Sequence, residues 1–167
     1  MKKIFVTLIV VMCAIATSSA ELRAGEKSFG PKVGYVSENE SAVAGLVFQY
    51  NFSEHLRLVP EIGCAFRHNQ RDAFLLDVNV HTPFAFATGD NVNLYPLAGL
   101  SLNSWAWHYT DEDSDDVTTH TTRFGLNVGA GFEYRCNATM KLTFEAKYTL
   151  IKKYSATYIT AGLSYIF

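Results

Sequence analysis

Four side chains near residues 104–120 are of the types that acid–base chemistry uses. Ser104, His108, Asp111 and His120 offer a hydroxyl nucleophile, two imidazole bases and an orienting carboxylate. Acyl transfer or hydrolysis needs such groups in mutual hydrogen-bond contact, and proximity along the chain does not establish that contact. The Gly-x-Ser-x-Gly pattern of a strained nucleophile turn is absent from the sequence. We therefore expect no catalytic residue and no cofactor, with an enzyme kept as an alternative.

An acidic run at 111–116 places carboxylates at alternate positions, as some calcium-binding loops do. Such a loop needs glycine at its sixth position and glutamate at its twelfth. Those positions here hold Asp116 and Thr122. We expect a solvated, mobile loop without a specific metal site, and weak bridging of divalent cations is the alternative.

A third set of charged residues recurs at alternate positions inside apolar segments, with alternating sign. The set is Arg57, Glu61, Glu133, Arg135, Glu145 and Lys147. If this face is enclosed, the charges must pair, because an unpaired buried ion costs roughly several kcal/mol. The favoured interpretation is a structural polar cluster, and a narrow ion path is the alternative. His81 shares the face, where we expect a hydrogen-bonded side chain rather than a metal ligand.

Eight segments alternate between apolar and polar residues, which predicts β-strands because successive side chains point to opposite faces. Their approximate bounds are 29–36, 42–52, 56–66, 73–86, 92–107, 123–135, 140–150 and 156–167. The connectors are rich in Asn, Asp, Ser and charge, as hairpin turns are. The longest connector is 108–122.

The glycines indicate which face of these strands is enclosed. Nine of the eleven lie on the charged face, whereas Phe124, Leu126 and Phe132 represent the bulky opposite face. The interior of an eight-stranded barrel is barely wide enough for side chains, so the face thinned by glycine fits inside it. The bulky exterior exceeds the apolar patch that a soluble monomer tolerates, and it suits lipid.

The sequence therefore predicts an all-β fold, an eight-stranded antiparallel up-and-down barrel that crosses a membrane. Segments of about 10 residues match tilted membrane-crossing strands. The alternative is a soluble lipocalin-like barrel that binds a small apolar ligand, and it requires the opposite sidedness. Pro60 and Pro96 lie inside strands, where proline cannot donate a ladder hydrogen bond, so we expect bulges or irregularity there. We also expect a bulge near Trp105, which falls on the inward face.

The N-terminus has the charged, apolar and small-residue order of a secretory signal peptide. Lys2 and Lys3 precede an apolar run, and small residues follow at Ser18 and Ala20. We expect a signal peptide at 1–20, and hence an exported protein.

The remaining residues, 21–167, make up the barrel domain. The formal net charge of −2 becomes −4 without the two lysines of the leader, and no basic patch suggests nucleic acid. Cys64 and Cys136 fall at opposite ends of the predicted barrel, so we expect free thiols.

Three stretches resemble the small outer-membrane β-barrel proteins, which include OmpX-like proteins, the OmpA transmembrane domain and "porin family" barrels of Bacteroidetes. The stretches are FGLNVGAGFEYR, GLVFQYNFSEHLRLVPEIG and the closing AGLSYIF. The resemblance implies a Gram-negative outer membrane, periplasmic termini, and outer connectors at 37–41, 67–72, 108–122 and 151–155.

The resemblance also implies partners and a role. In the family, the pattern of Leu163, Tyr165 and Phe167 is the signal read by the outer-membrane insertion machinery. The other implied partners are lipid, lipopolysaccharide and an external partner at 108–122. We expect a monomer with a structural or surface-interaction role, in adhesion or envelope integrity.

Overall fold

The computed structural model of the protein describes residues 23–85, 91–110, 116–152 and 154–167. The predicted signal peptide lies outside these residues. Within them the chain forms strands only, and no helix is long and apolar enough to cross a membrane. The strands are β1 Lys27–Val36, β2 Ser41–Asn51, β3 Arg57–His68, β4 Arg71–His81, β5 Phe84–Ala85, β6 Val92–Thr110, β7 Asp116–Arg135, β8 Met140–Leu150 and β9 Ala156–Ile166.

These strands close into an antiparallel barrel. The order around the sheet is β4-β3-β2-β1-β9-β8-β7-β6-β5, and a further pairing of β4 with β6 completes the ring. The two residues of β5 continue the line of β4 along β6 in the same register. The nine strands therefore make an eight-stranded barrel, which confirms the predicted fold.

The apolar face of the strands points outward and the polar face points inward, as predicted. Phe124, Leu126 and Ile159 are 82%, 57% and 61% exposed on the outside of the barrel. Arg57 and Asn79 are fully buried inside it. This arrangement is the reverse of the one that a soluble lipocalin-like barrel requires. The apolar exterior suits contact with acyl chains, and the closed ring leaves no sheet edge within the barrel wall.

Glycine on the inward face lets neighbouring strands approach closely. A Cβ atom added at Gly131 would lie 2.5 Å from Cζ of Tyr95 and 2.6 Å from the carbonyl oxygen of Phe144. At Gly162 the nearest atom would be the Thr143 hydroxyl, at 2.7 Å. At Gly131 a methyl group would collide with an aromatic ring and with main-chain atoms. At Gly162 it would collide only with a side chain that can rotate.

We expect Gly131→Ala to lower the free energy of unfolding by about 1–3 kcal/mol, because the added methyl group overpacks the interior. Gly162→Ala is the matched control, and we expect it to have the smaller effect. Urea unfolding of the refolded barrel, followed by tryptophan fluorescence, measures both values. Equal stability of the Gly131→Ala variant and the unsubstituted protein would contradict the close approach.

Pro60 interrupts the pairing of β3 with β2 without shifting its register. Val47 pairs with Glu61 and Tyr50 pairs with Leu58, and the two pairs between them are missing. Pairing of β3 with β4 continues through the proline. Proline has no N–H to donate, so the ladder is lost only on the side that this N–H would face. The irregularity predicted at Pro60 is therefore an open stretch of ladder.

Pro96 explains why β4 stops and resumes as β5. The N–H of Thr82 donates to the Pro96 carbonyl oxygen at 3.2 Å, so the backbone of Pro96 faces this edge and has no N–H to return. Pairing resumes with Phe84 opposite Leu94, in the register of β4. The predicted irregularity is again confirmed. Pro31, which the sequence analysis did not single out, interrupts the ladder between β1 and β9 in the same way.

The bulge expected near Trp105 is wrong. The register of β6 with β7 is continuous along both strands, and Trp105 faces the interior. Its ring packs in a buried apolar cluster with Val36, Leu75 and Tyr158. On its other side Trp105 lines a small pocket with Trp107 and Tyr154.

The prediction of a loop at 108–122 is also wrong for most of that segment. β6 and β7 stay paired as far as Thr110 opposite Asp116, and only 111–115 lies outside the described residues. β4 pairs with β6 only up to Trp107, and β8 pairs with β7 only from Leu126 onward. The two strands therefore project beyond the barrel as a ribbon. We call this end of the barrel the ribbon end, and the end with Lys27 and Phe167 the terminus end.

Candidate functional site

The candidate functional site is the polar interior, whose first part is a buried ion pair near the terminus end. Arg57 on β3 donates from Nη1 to Glu133 Oε2 at 2.6 Å and from Nη2 to Glu133 Oε1 at 3.0 Å. Its Nε donates to Asn51 at 2.9 Å, and Asn93 donates to Glu133 at 3.1 Å. Lys141 Nζ lies 3.6 Å from the same carboxylate. A fully buried guanidinium is thus matched by a two-pronged carboxylate.

The second part is a network of five charged side chains in the middle of the barrel. Lys32 Nζ donates to Glu61 at 2.7 Å and to Glu145 at 3.1 Å. Lys147 Nζ donates to Asp77 at 2.6 Å and to Glu61 at 3.2 Å. The network joins strands β1, β3, β4 and β8, so it cross-links opposite walls of the barrel.

His81 and Tyr95 form the layer beside this network. Their rings stack with centroids 4.5 Å apart and planes 10° apart. The Tyr95 hydroxyl donates to Glu145 at 3.2 Å. His81 is fully buried, yet neither ring nitrogen has a hydrogen-bond partner among the described residues. The expectation of a hydrogen-bonded His81 is therefore wrong.

Toward the ribbon end the described interior combines an apolar cluster with buried uncharged side chains such as Ser41 and Asn103. The Trp105 cluster fills this layer, and Tyr158 in that cluster also lies over Lys147, with 5.7 Å from the ammonium nitrogen to the ring centroid. A cavity of about 30 Å³ lies between the apolar and charged layers, lined by groups that include Glu61 and Asp77. That volume has room for a water molecule or two. The described interior is thus filled by side chains.

The six charged residues predicted to line the interior have different surroundings. Five of them are buried: Arg57, Glu61, Glu133, Glu145 and Lys147. Arg135 is half-buried and donates to Glu26 at 2.8 Å near the terminus end. The ion pairs join different strands, so partners were not readable from spacing along one strand. Tyr95 and Tyr158 were missed, although each lies two positions from a polar residue of the inward face, Asn93 and Thr160 respectively.

The residues considered for an enzyme make the following contacts in the part of the chain that the structure describes. His108 Nε2 lies 2.5 Å from Asp72 Oδ1. The Thr122 hydroxyl donates to the Ser104 hydroxyl at 3.0 Å. His120 is exposed on the ribbon, and Asp111 lies outside the described residues. Cys64 and Cys136 are both exposed and free.

The three residues of the predicted insertion signal lie on one face of the C-terminal strand. Leu163, Tyr165 and Phe167 are exposed on the outside of the barrel. Their neighbours Ser164 and Ile166 point inward and are buried. The closing strand thus presents an apolar stripe to lipid.

Known proteins share this fold. Residues 7–167 match the family model described as outer membrane protein beta-barrel domain. The N-terminal β-barrel domain of OprF from Pseudomonas aeruginosa superposes with a TM-score of 0.69 at 13% identity, covering 86% of this chain and 98% of that one. Ail of Yersinia pestis gives 0.62 at 16% identity, covering 87% and 100%. A major outer membrane protein from Thermus thermophilus gives 0.65 at 12% identity, covering 87% and 100%. No curated protein matches the chain in a sequence comparison.

At these identities the solved structures show the shared fold, and the family match extends over nearly the whole chain. The predicted resemblance to small outer-membrane barrels is confirmed. A bacterial outer-membrane location follows, in agreement with the apolar exterior and the closed ring. The chain belongs to the outer membrane protein beta-barrel domain family.

Proposed function

We propose that this protein is a non-enzymatic outer-membrane barrel with a closed polar interior, which acts in adhesion or envelope integrity through surface interactions of its ribbon. The observation that carries the proposal is the unpaired edge of β7 above the barrel. Pairing of β7 with β8 begins only at Leu126, although β7 itself begins at Asp116. Within the part of the chain that the structure describes, about ten residues of β7 therefore have a strand partner on one side alone.

The direction of the backbone groups along this edge follows from one hydrogen bond. The N–H of His108 donates to the carbonyl oxygen of Gln70 at 2.9 Å, away from β7. In antiparallel pairs, residues alternate between exchanging hydrogen bonds with each other and turning their backbone groups outward. Thr118 lies opposite His108, so Thr118, His120 and Thr122 turn their N–H and C=O groups toward the open edge.

An open row of N–H and C=O groups is a template for adding another strand. We infer that the external partner of the ribbon is an extended polypeptide segment that pairs with β7. Ail, whose fold is similar, is the attachment invasion locus protein of its organism. That likeness supports an adhesive role for the present chain, and the open edge supplies a physical means for it.

A proline on the edge tests this proposal. We expect His120→Pro to reduce attachment of expressing cells to immobilised extracellular-matrix protein by about tenfold or more, because proline removes an outward N–H. His120→Ala is the matched control, since it removes the imidazole and keeps the N–H, and we expect it to retain attachment. Cell adhesion counts, normalised to surface expression, give the measurement.

Attachment that survives the proline, or that falls equally with alanine, would contradict strand addition. A deletion strain separates the two broader roles. Loss of attachment with an unchanged envelope supports adhesion, whereas entry of large antibiotics into the deletion strain supports a role in envelope integrity.

We propose lipopolysaccharide as a second partner, at the ribbon end of the barrel. Arg71 lies over the Trp107 ring at 6.0 Å from its centroid, and Arg123 lies over the Tyr154 ring at 5.1 Å. The two rings are themselves 5.6 Å apart. Arg71 pairs with Trp107 and Arg123 pairs with the buried Asn103, so both guanidinium groups lie over the mouth of the barrel. Guanidinium groups there suit phosphate groups that reach over this mouth. We also propose that residues 1–20 are a signal peptide and that the C-terminal strand is the insertion signal.

A further inference from the structure

Glu61, His81 and Glu145 form a group of ligand-type side chains in the middle of the barrel. Each offers one candidate ligand atom, and these atoms lie within 4.8 Å of one another. The three residues come from β3, β4 and β8, and all are buried. One imidazole and two carboxylates make a ligand set that divalent transition metals such as Zn²⁺ accept.

The hydrogen bonding of these residues supports a ligand between them. Both ring nitrogens of His81 and the Oε1 atom of Glu61 are buried without a partner in the described residues. Buried polar groups in folded proteins are nearly always bonded, so each exception needs an explanation such as an ion. One bound cation would give a partner to Nε2 of His81, the ring nitrogen nearer Glu145, and to Oε1 of Glu61.

The surrounding groups position the free atoms. Lys32 donates to Oε2 of Glu61 and to Oε1 of Glu145, so Oε1 of Glu61 has no partner among the described residues and Oε2 of Glu145 accepts only the Tyr95 hydroxyl there. Glu145 Oε2 lies 3.9 Å from His81 Nε2. A tetrahedral zinc ion separates its ligands by roughly 3.3 Å, so this pair needs to close by less than about 1 Å. Tyr95 stacks on the His81 ring and donates to Glu145, as outer groups around metal ligands do.

We propose that Glu61, His81 and Glu145 bind a divalent transition-metal ion of the zinc type inside the barrel. The carboxylates of the central network outnumber its ammonium groups by one when His81 is neutral, since Asp77 adds a third carboxylate to Lys32 and Lys147. Lys32 is a fixed cation that competes with the metal for two of the ligands. The proposal is independent of the role of the ribbon.

The test uses the barrel refolded in detergent with Zn²⁺ or Co²⁺ and then passed over a chelating column. We expect about one equivalent of retained metal, a visible Co²⁺ spectrum with nitrogen ligation, and a higher urea midpoint with metal. His81→Gln should weaken binding by about tenfold or more, because a ligand is lost. Lys32→Met should tighten binding by about tenfold, because a competing positive charge is removed.

His108→Gln is the matched control, because His108 makes the other histidine–carboxylate contact in the described residues. We expect it to keep the metal. Heat-modifiable gel mobility shows that each variant has folded before its metal content is compared. Metal content near zero in the folded, unsubstituted protein would overturn the proposal. Equal binding by the folded His81→Gln variant, or loss of binding in His108→Gln, would do the same.

Discussion

Arg57→Met is expected to lower the free energy of unfolding by about 3–5 kcal/mol, because it leaves the Glu133 carboxylate buried without its partner. Arg57 is fully buried and makes two hydrogen bonds to Glu133 and one to Asn51. Lys141 stays near Glu133, but at 3.6 Å and from one side only. Urea unfolding of the barrel in lipid vesicles gives the value directly.

A double-mutant cycle separates the missing partner from the lost volume. Arg57→Met combined with Glu133→Leu removes both charges and keeps apolar bulk, and such replacements are often neutral or stabilising. We expect the double variant to recover part of the stability lost in the single one, because Lys141 then stays buried without the Glu133 carboxylate. A single variant that loses less than about 1 kcal/mol would show that Glu133 is hydrated or repaired by other groups, contrary to a closed interior.

Leu46→Arg is expected to cost about 2–4 kcal/mol of unfolding free energy, because it places a charge at mid-depth in the hydrocarbon. Leu46 is the central residue of β2 and is 45% exposed on the outside of the barrel. It pairs with Pro31 and Ile62, which also lie on the outward face. In water the same substitution at an exposed strand position would have little effect, so the result tests sidedness.

Leu56→Arg is the matched control for depth. Leu56 is also exposed but lies in the connection between β2 and β3, at the terminus end. An arginine near the interface costs about 0–1 kcal/mol, because its side chain reaches the headgroups. Equal losses for the two variants would argue against a lipid boundary between these depths.

Much of the fold followed from the alternation of residue types. The strand bounds predicted for β8 are those observed. The largest differences are in β7, which begins seven residues before the predicted 123, and in β4, which ends at His81 rather than at 86. The inward placement of glycine and charge also followed, because bulky side chains do not fit a narrow interior. The interrupted ladders at Pro60 and Pro96 follow from a missing N–H, which is a property of the residue itself.

The sequence predicted which residues make up the candidate site, but it did not predict which of them are in contact. Arg57 and Glu133 are far apart in the sequence and meet only because the closed ring brings β3 across from β7. The unbonded state of His81 likewise depends on which neighbours the closed barrel provides. The sequence predicted a loop at the ribbon because residues 108–122 are nearly all polar and show no amphipathic alternation. Pairing with β6 still orders them.

By itself the sequence determined what faces lipid and what faces inward, since that choice depends on side-chain volume and polarity repeated along each strand. Only the tertiary structure decided which charges meet, where the strands outrun the barrel, and which buried nitrogens lack a partner. Those features depend on strand order, register and closure, which place residues from distant parts of the chain within a few ångströms of one another.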